Sequence, residues 1–134
     1  LVLLRKLPLL AGWNDERRTA AAFYNEALSG VGDLRLPPVA PGSRPVWHLY
    51  VVRSGRREAL AEFLAARGIA TGRHYPQPLH LTHAYLGLGY LPGAFPVAEA
   101  LAEEGLSLPI FPGITSSQLE AVVAGVRDFF ARGW

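Results

Sequence analysis

Apolar residues recur along this chain with two periods. Between Leu9 and Leu28, residues Leu10, Trp13, Ala20, Phe23, Tyr24, Ala27 and Leu28 fall at helical spacing, with Asn14 to Arg18 turned to water. This predicts a helix, bent near Pro8. The stretch SGVGD (29–33) stops it, and LPPVAPGSRP (36–45) holds too many prolines for a central strand, so a surface connector is expected there. PVWHLYVVR (45–53) is almost continuously β-branched and aromatic. It predicts an inner strand with Val46, His48, Tyr50 and Val52 on one face and Trp47, Leu49 and Val51 on the other. A short helix over Arg56–Arg67 turns Leu60, Phe63 and Leu64 inward and ends at Gly68, where a left-handed cap is wanted. IATGRHY (69–75) reads as a second strand. Val97–Glu104 reads as a helix, LSLPIFP (106–112) as a short extended piece, and Thr115–Arg132 as a last helix. That helix carries Leu119, Val122, Val123, Val126 and Phe130 on one face, with Thr115 and Gln118, or Ser117 and Glu120, as a capping box. The expected fold class is α+β: a small sheet around Val46–Arg53 and Ile69–Tyr75, backed on one face by the Arg56–Arg67 and Thr115–Arg132 helices.

Composition narrows the function classes. A chain of 134 residues suits one core, which should bury roughly two thirds of the unfolded surface. Half of the residues are apolar and 18% are charged, a globular balance. The net charge of +2 comes from scattered arginines rather than a basic stripe, so a nucleic-acid partner is not expected. With no cysteine there is no disulfide framework, thiolate nucleophile or zinc–thiolate cluster. No apolar run reaches membrane-spanning length, and LVLLRKLPLL has its basic pair inside the apolar stretch, the wrong order for a signal peptide; no membrane association and a cytoplasmic location are the expectation. The chain starts at Leu1 on residues that read as part of an amphipathic element and contains no methionine, as expected of a segment of a longer protein. Lys6 is its one lysine, so Schiff-base chemistry would rest on Lys6 or on residues elsewhere.

The densest candidate chemistry is TGRHYPQPLHLTHAY (71–85), which holds three of the four histidines. A metal site is not expected of His74, His80 and His83: Pro76 and Pro78 forbid a regular helix through the first gap, and no Asp or Glu lies between Glu62 and Glu99. No G-x-S-x-G elbow, dinucleotide fingerprint or Walker loop is present. Glu103 and Glu104, adjacent on a helix, cannot enter one site as an acid–base pair and read as solvated surface. Two readings remain for the 71–85 stretch. In one, prolines hold His74, Tyr75 and His80 as a rigid polar wall that orients a ligand. In the other, His74 and Tyr75 only cap the sheet with satisfied hydrogen bonds.

The run WNDERRTAAAFYNEAL, then VWHLYVV, then LAEFLAARGIATGRHYPQPLHLTHAYLGLGY and FPVAEALAEEGLSLPIFPGIT before a closing amphipathic helix resembles the C-terminal small domain of the DegT/DnrJ/EryC1/StrS family. These are pyridoxal-phosphate-dependent aminotransferases of nucleotide-linked keto-sugars. The resemblance implies the small domain of the aspartate-aminotransferase-like (fold type I) fold. Residues 1–30 would be a helical segment leading from a large domain absent here, and 31–134 the small domain. It places the internal-aldimine lysine and most pyridoxal phosphate contacts in that large domain, so no catalytic, cofactor-binding or metal residue is assigned to this chain. It implies an amino-acid donor such as glutamate, a nucleotide-sugar substrate and a homodimer, and an inactive fragment when this chain is alone. It sets His74 and Tyr75, with His80 behind them, at the substrate rim. Arg73 would either meet a diphosphate or stand exposed. A non-catalytic ligand-binding or interaction module of the same fold is the competing reading.

Overall fold

The computed structural model describes residues 2–133; Leu1 and Trp134, which end the 1–30 and 31–134 segments, lie outside the described residues. In chain order the helices and strands are α1 (Val2–Lys6), α2 (Leu10–Ala27), β1 (Tyr50–Arg53), α3 (Arg57–Ala65), α4 (Pro96–Glu104), β2 (Gly105–Leu108) and α5 (Ser116–Ala131). The bend expected at Pro8 is a 3-10 turn over Leu7–Leu9 between α1 and α2. Single 3-10 segments at Leu79–Leu81 and His83–Leu88 occupy the excursion between α3 and α4. No helix among the described residues is long and apolar enough to cross a membrane.

β1 and β2 pair antiparallel, Tyr50 opposite Leu108 and Val52 opposite Leu106. Alternation along the strands sends these side chains to one face, where all four are buried. Ala20, Ala21, Tyr24 and Leu28 of the α2 end, Leu60 and Leu64 of α3, and Leu119, Val122, Val123, Val126 and Phe129 of α5 complete that core. α3 packs on α5 and β2, α2 packs on α5, and α4 packs on both strands. The expected capping box is present: Gln118 N–H donates to the Thr115 hydroxyl at 3.2 Å, and Thr115 N–H donates to the Gln118 side chain at 2.9 Å. Gly68 takes the left-handed cap position at φ +74°. On α5 the fully buried aromatic ring is Phe129, while Phe130, assigned to the inner face from spacing, is half-buried.

Three expectations about the sheet are corrected. The strand expected from Val46 begins only at Tyr50. The carbonyls of Pro45 and Val46 accept from the Arg18 and Arg17 guanidinium groups of α2, at 3.1 and 3.0 Å. Trp47 then lies in the left-handed region at φ +49°, with its ring 5.4 Å from that of Tyr50. A strand cannot run through that turn. The partner of β1 is β2 rather than the 69–75 stretch, which contributes a single bridge between Gly72 and Ser107. Antiparallel hydrogen-bonded pairs recur every second residue, so the neighbouring pairs would need donors from Pro109 and Gly105. Pro109 has no N–H, and the Gly105 N–H already donates to Leu101 O at the end of α4. β1 is thus one strand of a two-stranded sheet rather than an inner strand, met on its other side by a single bridge between Arg53 and Arg35. Glu104, expected to be solvated, instead accepts from Arg53 Nε and Nη2 at 2.9 and 2.7 Å, tying the end of α4 to β1.

Inside the core, the Tyr24 hydroxyl donates to Pro109 O at 2.8 Å and the Tyr50 hydroxyl to Asn25 Oδ1 at 2.7 Å. Burial pushes both phenols well above the ordinary tyrosine value of 10.0, with each other's proximity adding to the shift at Tyr24. The folded chain therefore keeps phenolic protons that the unfolded chain releases first. The resulting stability is complete below the unfolded value and is lost as pH rises toward the raised folded one. Thermal melts should show Tm declining once pH passes about 10. Tyr50→Phe should flatten that decline while costing about 1 kcal/mol at neutral pH, because Asn25 loses its donor; an unchanged alkaline slope would contradict the assignment.

Candidate functional site

Below the β1–β2 pair the chain leaves the sheet at Gly72 and runs through Arg73, His74 and Tyr75 into Pro76 and Pro78. Between this segment and α4 lies a groove of about 690 Å³, lined by residues 74–79 and Thr82 from the loop and by Ala98, Leu101 and Ala102 from the helix. α4 presents small and aliphatic side chains here because Ala98 and Ala102 are one turn apart on one face. The loop supplies the polar tips: an imidazole, a phenol, an amide and a hydroxyl.

His74 is the most constrained of these. Its Nδ1 lies 2.8 Å from the hydroxyl of Ser107, a buried residue of β2 on the face opposite Leu106 and Leu108. The ring also lies over Gly72, where an added Cβ would come within 2.6 Å of Cε1. Glycine is therefore needed for this close approach. One ring nitrogen is tied to the sheet, leaving Nε2 as the nitrogen for a ligand. Tyr75 stands 76% exposed, its ring set edge-on to His74 at 5.9 Å. The His74–Tyr75 peptide is cis. Gln77 is turned away from a ligand role by donating to Leu81 O at 2.8 Å.

His80 is placed differently. It is 8% exposed and faces a second, apolar pocket of about 330 Å³ that shares Leu79 and Ala98 with the groove. Its ring is edge-on to Phe95 at 4.8 Å, and its Nε2 lies 3.0 Å from Glu99 Oε1. Glu99 also accepts from Gly93 N–H, at 2.9 and 2.8 Å to its two oxygens, and from Phe95 N–H at 3.2 Å. The Gly93 N–H chiefly, then the Phe95 N–H and His80, hold the Glu99 carboxyl below its ordinary range, against desolvation that pushes it upward. A carboxyl held low contributes stability above the unfolded value and loses it only as pH falls through the lowered folded one, so this clasp is intact at neutral pH.

Arg73 is exposed and pairs with Glu58 of α3, outside the groove lining. His74 and Tyr75 are thus brought together at the groove, while His80 stands behind it and Arg73 beside it. His83 is exposed, and among the described residues no three His, Asp or Glu side chains gather as a metal site. Two contributors escaped the sequence reading, Ser107 and Glu99. Ser107 carries no signal beyond being a polar residue in an apolar strand. Glu99 has one: it is the first acidic residue after the acid-free stretch that holds the histidines, and from 19 residues beyond His80 it bonds to that imidazole.

The chain as a whole is similar to known proteins. A sequence profile described as the DegT/DnrJ/EryC1/StrS aminotransferase family matches residues 1–127. A Streptomyces venezuelae protein named dTDP-3-amino-3,4,6-trideoxy-alpha-D-glucose transaminase is 44% identical over 98% of this chain and 35% of its own length. The erythromycin biosynthesis sensory transduction protein EryC1 of Saccharopolyspora erythraea is 43% identical over 94% of this chain and 34% of its own. The crystal structure of S. venezuelae DesV in complex with a ketimine intermediate superposes with a TM-score of 0.93 at 43% identity, covering 96% of this chain and 35% of that one. The chain spans about a third of the length of the curated relatives it matches.

The Gly72–His74–Ser107 arrangement makes a direct prediction. Ser107→Ala should free the ring and Gly72→Ala should push it aside, each moving the His74 imidazole nitrogen resonances in NMR. Ser107→Ala should cost about 1 kcal/mol of stability. Parent-like resonances in both variants would mean that the ring takes its orientation from another contact.

Proposed function

The chain belongs to the DegT/DnrJ/EryC1/StrS aminotransferase family, and from that premise we propose that it is the C-terminal part of a pyridoxal-phosphate-dependent enzyme that moves an amino group from an amino-acid donor, glutamate in this reading, to a nucleotide-linked keto-sugar. The observation that carries the proposal is the groove beside α4, with an imidazole tied to the sheet through one nitrogen and an exposed phenol next to it. Those are groups suited to the hydroxyl and carbonyl oxygens of a sugar, above an aliphatic floor suited to its ring. In this reading His74 and Tyr75 orient the sugar nucleotide, His80 supports their loop, and Arg73 is the guanidinium that would meet a diphosphate by exchanging Glu58 for it. Residues 1–30 are the helical lead-in from the rest of the protein and 31–134 the small domain.

Pyridoxal phosphate is the cofactor the family implies, and among the described residues the groove lining does not form a cradle for it. Lys6, the one lysine, is exposed on α1, and no lysine or arginine lines the groove. In this reading the cofactor site lies in the rest of the longer protein, and these residues bind and orient substrate rather than take part in the chemical steps. A cytoplasmic homodimer fits the reading; large apolar side chains such as Leu79, Leu86, Leu91 and Val97 stand exposed for another domain or subunit to cover. A second reading, a ligand-binding regulator of the same fold, is favoured by the name of the EryC1 relative, a sensory transduction protein. Replacement of the Schiff-base lysine in the full-length sequence would select it.

In the full-length enzyme, His74→Ala and Tyr75→Phe should each lower kcat/KM for the nucleotide keto-sugar by roughly 5- to 150-fold, the loss of one neutral or charge-assisted hydrogen bond. The absorbance of bound pyridoxal phosphate should stay as in the parent; parent-like kinetics would return the pair to a sheet-capping role. Titration of this chain alone with pyridoxal phosphate should give no saturable absorbance change beyond that of a free surface amine. A saturable signal abolished by Lys6→Ala would overturn the placement of the cofactor site.

A further inference from the structure

The excursion that follows His74 and Tyr75 is not held by the core. From Leu81 to Leu101 no residue is buried, so hydrophobic burial within this chain cannot fix the excursion between α3 and α4. Polar contacts must do it, and they converge on Glu99 in the first turn of α4. His80 bonds to this carboxylate from the start of the excursion, at 3.0 Å. Gly93 and Phe95 bond to it from the end, at 2.8 to 3.2 Å. One side chain thus closes the 80–95 excursion at both ends and ties it to α4. The clasp also borders the groove: Leu79, next to His80, and Ala98, next to Glu99, line both the groove and the apolar pocket behind it. The His80 ring is held from its other sides by Phe95 at 4.8 Å and Tyr90 at 6.5 Å, both edge-on, so it cannot turn to face the ligand without leaving that aromatic cage. The Glu99 carboxyl, held below its ordinary range by the Gly93 and Phe95 amides and by His80, remains an ionised acceptor at neutral pH.

We propose that Glu99 is a positioning residue for the ligand groove: through His80, Gly93 and Phe95 it sets the 76–82 segment against Ala98 and Leu101 of α4, and so keeps the Leu79 wall of the groove, which follows the sheet-tied His74, at its distance from the helix. The consequence for catalysis rests on the reading that this groove takes the nucleotide-sugar. Glu99 touches no ligand in this arrangement; it acts through the wall it holds, so its loss should loosen binding more than it slows turnover. With its carbonyl oxygen in place of Oε1, glutamine keeps the acceptor shared by the Gly93 N–H, the Phe95 N–H and His80 Nε2 and loses only the second contact to Gly93, so it should preserve most of the clasp.

The test uses the full-length protein with Glu99→Ala and Glu99→Gln, and reads amide hydrogen exchange over residues 80–95 together with steady-state kinetics on a nucleotide-linked keto-sugar. Glu99→Ala should speed exchange at Gly93 and Phe95 by about 10-fold or more. It should raise KM roughly 10-fold with kcat within about twofold of the parent, and Glu99→Gln should restore both readouts to within about threefold. Parent-like exchange in Glu99→Ala overturns the clasp. Faster exchange with an unchanged KM overturns its role in the groove, as does a joint loss of kcat and affinity that glutamine fails to rescue. Exchange needs no substrate, so a parent that turns over no nucleotide-sugar sinks the proposed function, while the exchange result still decides the clasp.

Discussion

Ser107 serves the sheet with its backbone and the candidate site with its side chain. Its N–H and C=O pair with Gly72 at 2.8 and 3.1 Å, Val51 lies opposite it on β1, and its hydroxyl holds His74 Nδ1 at 2.8 Å. Because side chains alternate along a strand, Leu106 and Leu108 on either side of it enter the core while Ser107 alone among the three faces the loop. The position of the imidazole is therefore inherited from the register of β1 and β2. A slip of one residue would turn Ser107 into the core and an aliphatic side chain toward His74.

The domain divides into a half held by burial and a half held by polar contacts. α2, α3, α5 and one face of the sheet enclose Tyr24, Tyr50, Phe129 and the leucines and valines around them. Beyond the sheet, the excursion from His80 to Phe95 relies on Glu99, and the joint between α4 and β1 on Arg53 and Glu104. Polar contacts of this kind contribute modestly to stability but strongly to geometry, since each fixes direction as well as distance. The candidate site lies in the second half. A rigid core beside a loop set by a few directional bonds suits a binding wall that must be placed accurately and still admit a ligand.

The elements with the clearest periodicity were legible. α2, α3 and α5 lie where spacing puts them, with the Thr115–Gln118 capping box and the Gly68 cap in place. The sheet was legible in kind but not in pairing. Nothing local to IATGRHY shows that the Gly105 donor is taken by α4, and the missing N–H of Pro109 matters only once that stretch is known to lie beside β2. The start of β1 differs from the expectation for a similar reason: its flank is strand-like in composition, but its carbonyls are captured by Arg17 and Arg18 of α2.

By itself the sequence determined which segments are helical, that the core is aliphatic and aromatic, that the proline-flanked HYPQP stretch is the densest polar chemistry, and which family its motifs resemble. These follow from local periodicity, backbone restriction and residue type, all of which act within a few residues. Only the tertiary structure decided that β2 pairs with β1, that Ser107 and Gly72 set the His74 ring, that Arg73 turns to Glu58, and that His80 is clasped by Glu99 rather than offered to the groove. Apart from the approach of Gly72 to His74, each is a contact between residues 15 to 58 positions apart, and a hydrogen bond selects its partner by distance and direction in space, to which sequence separation is blind.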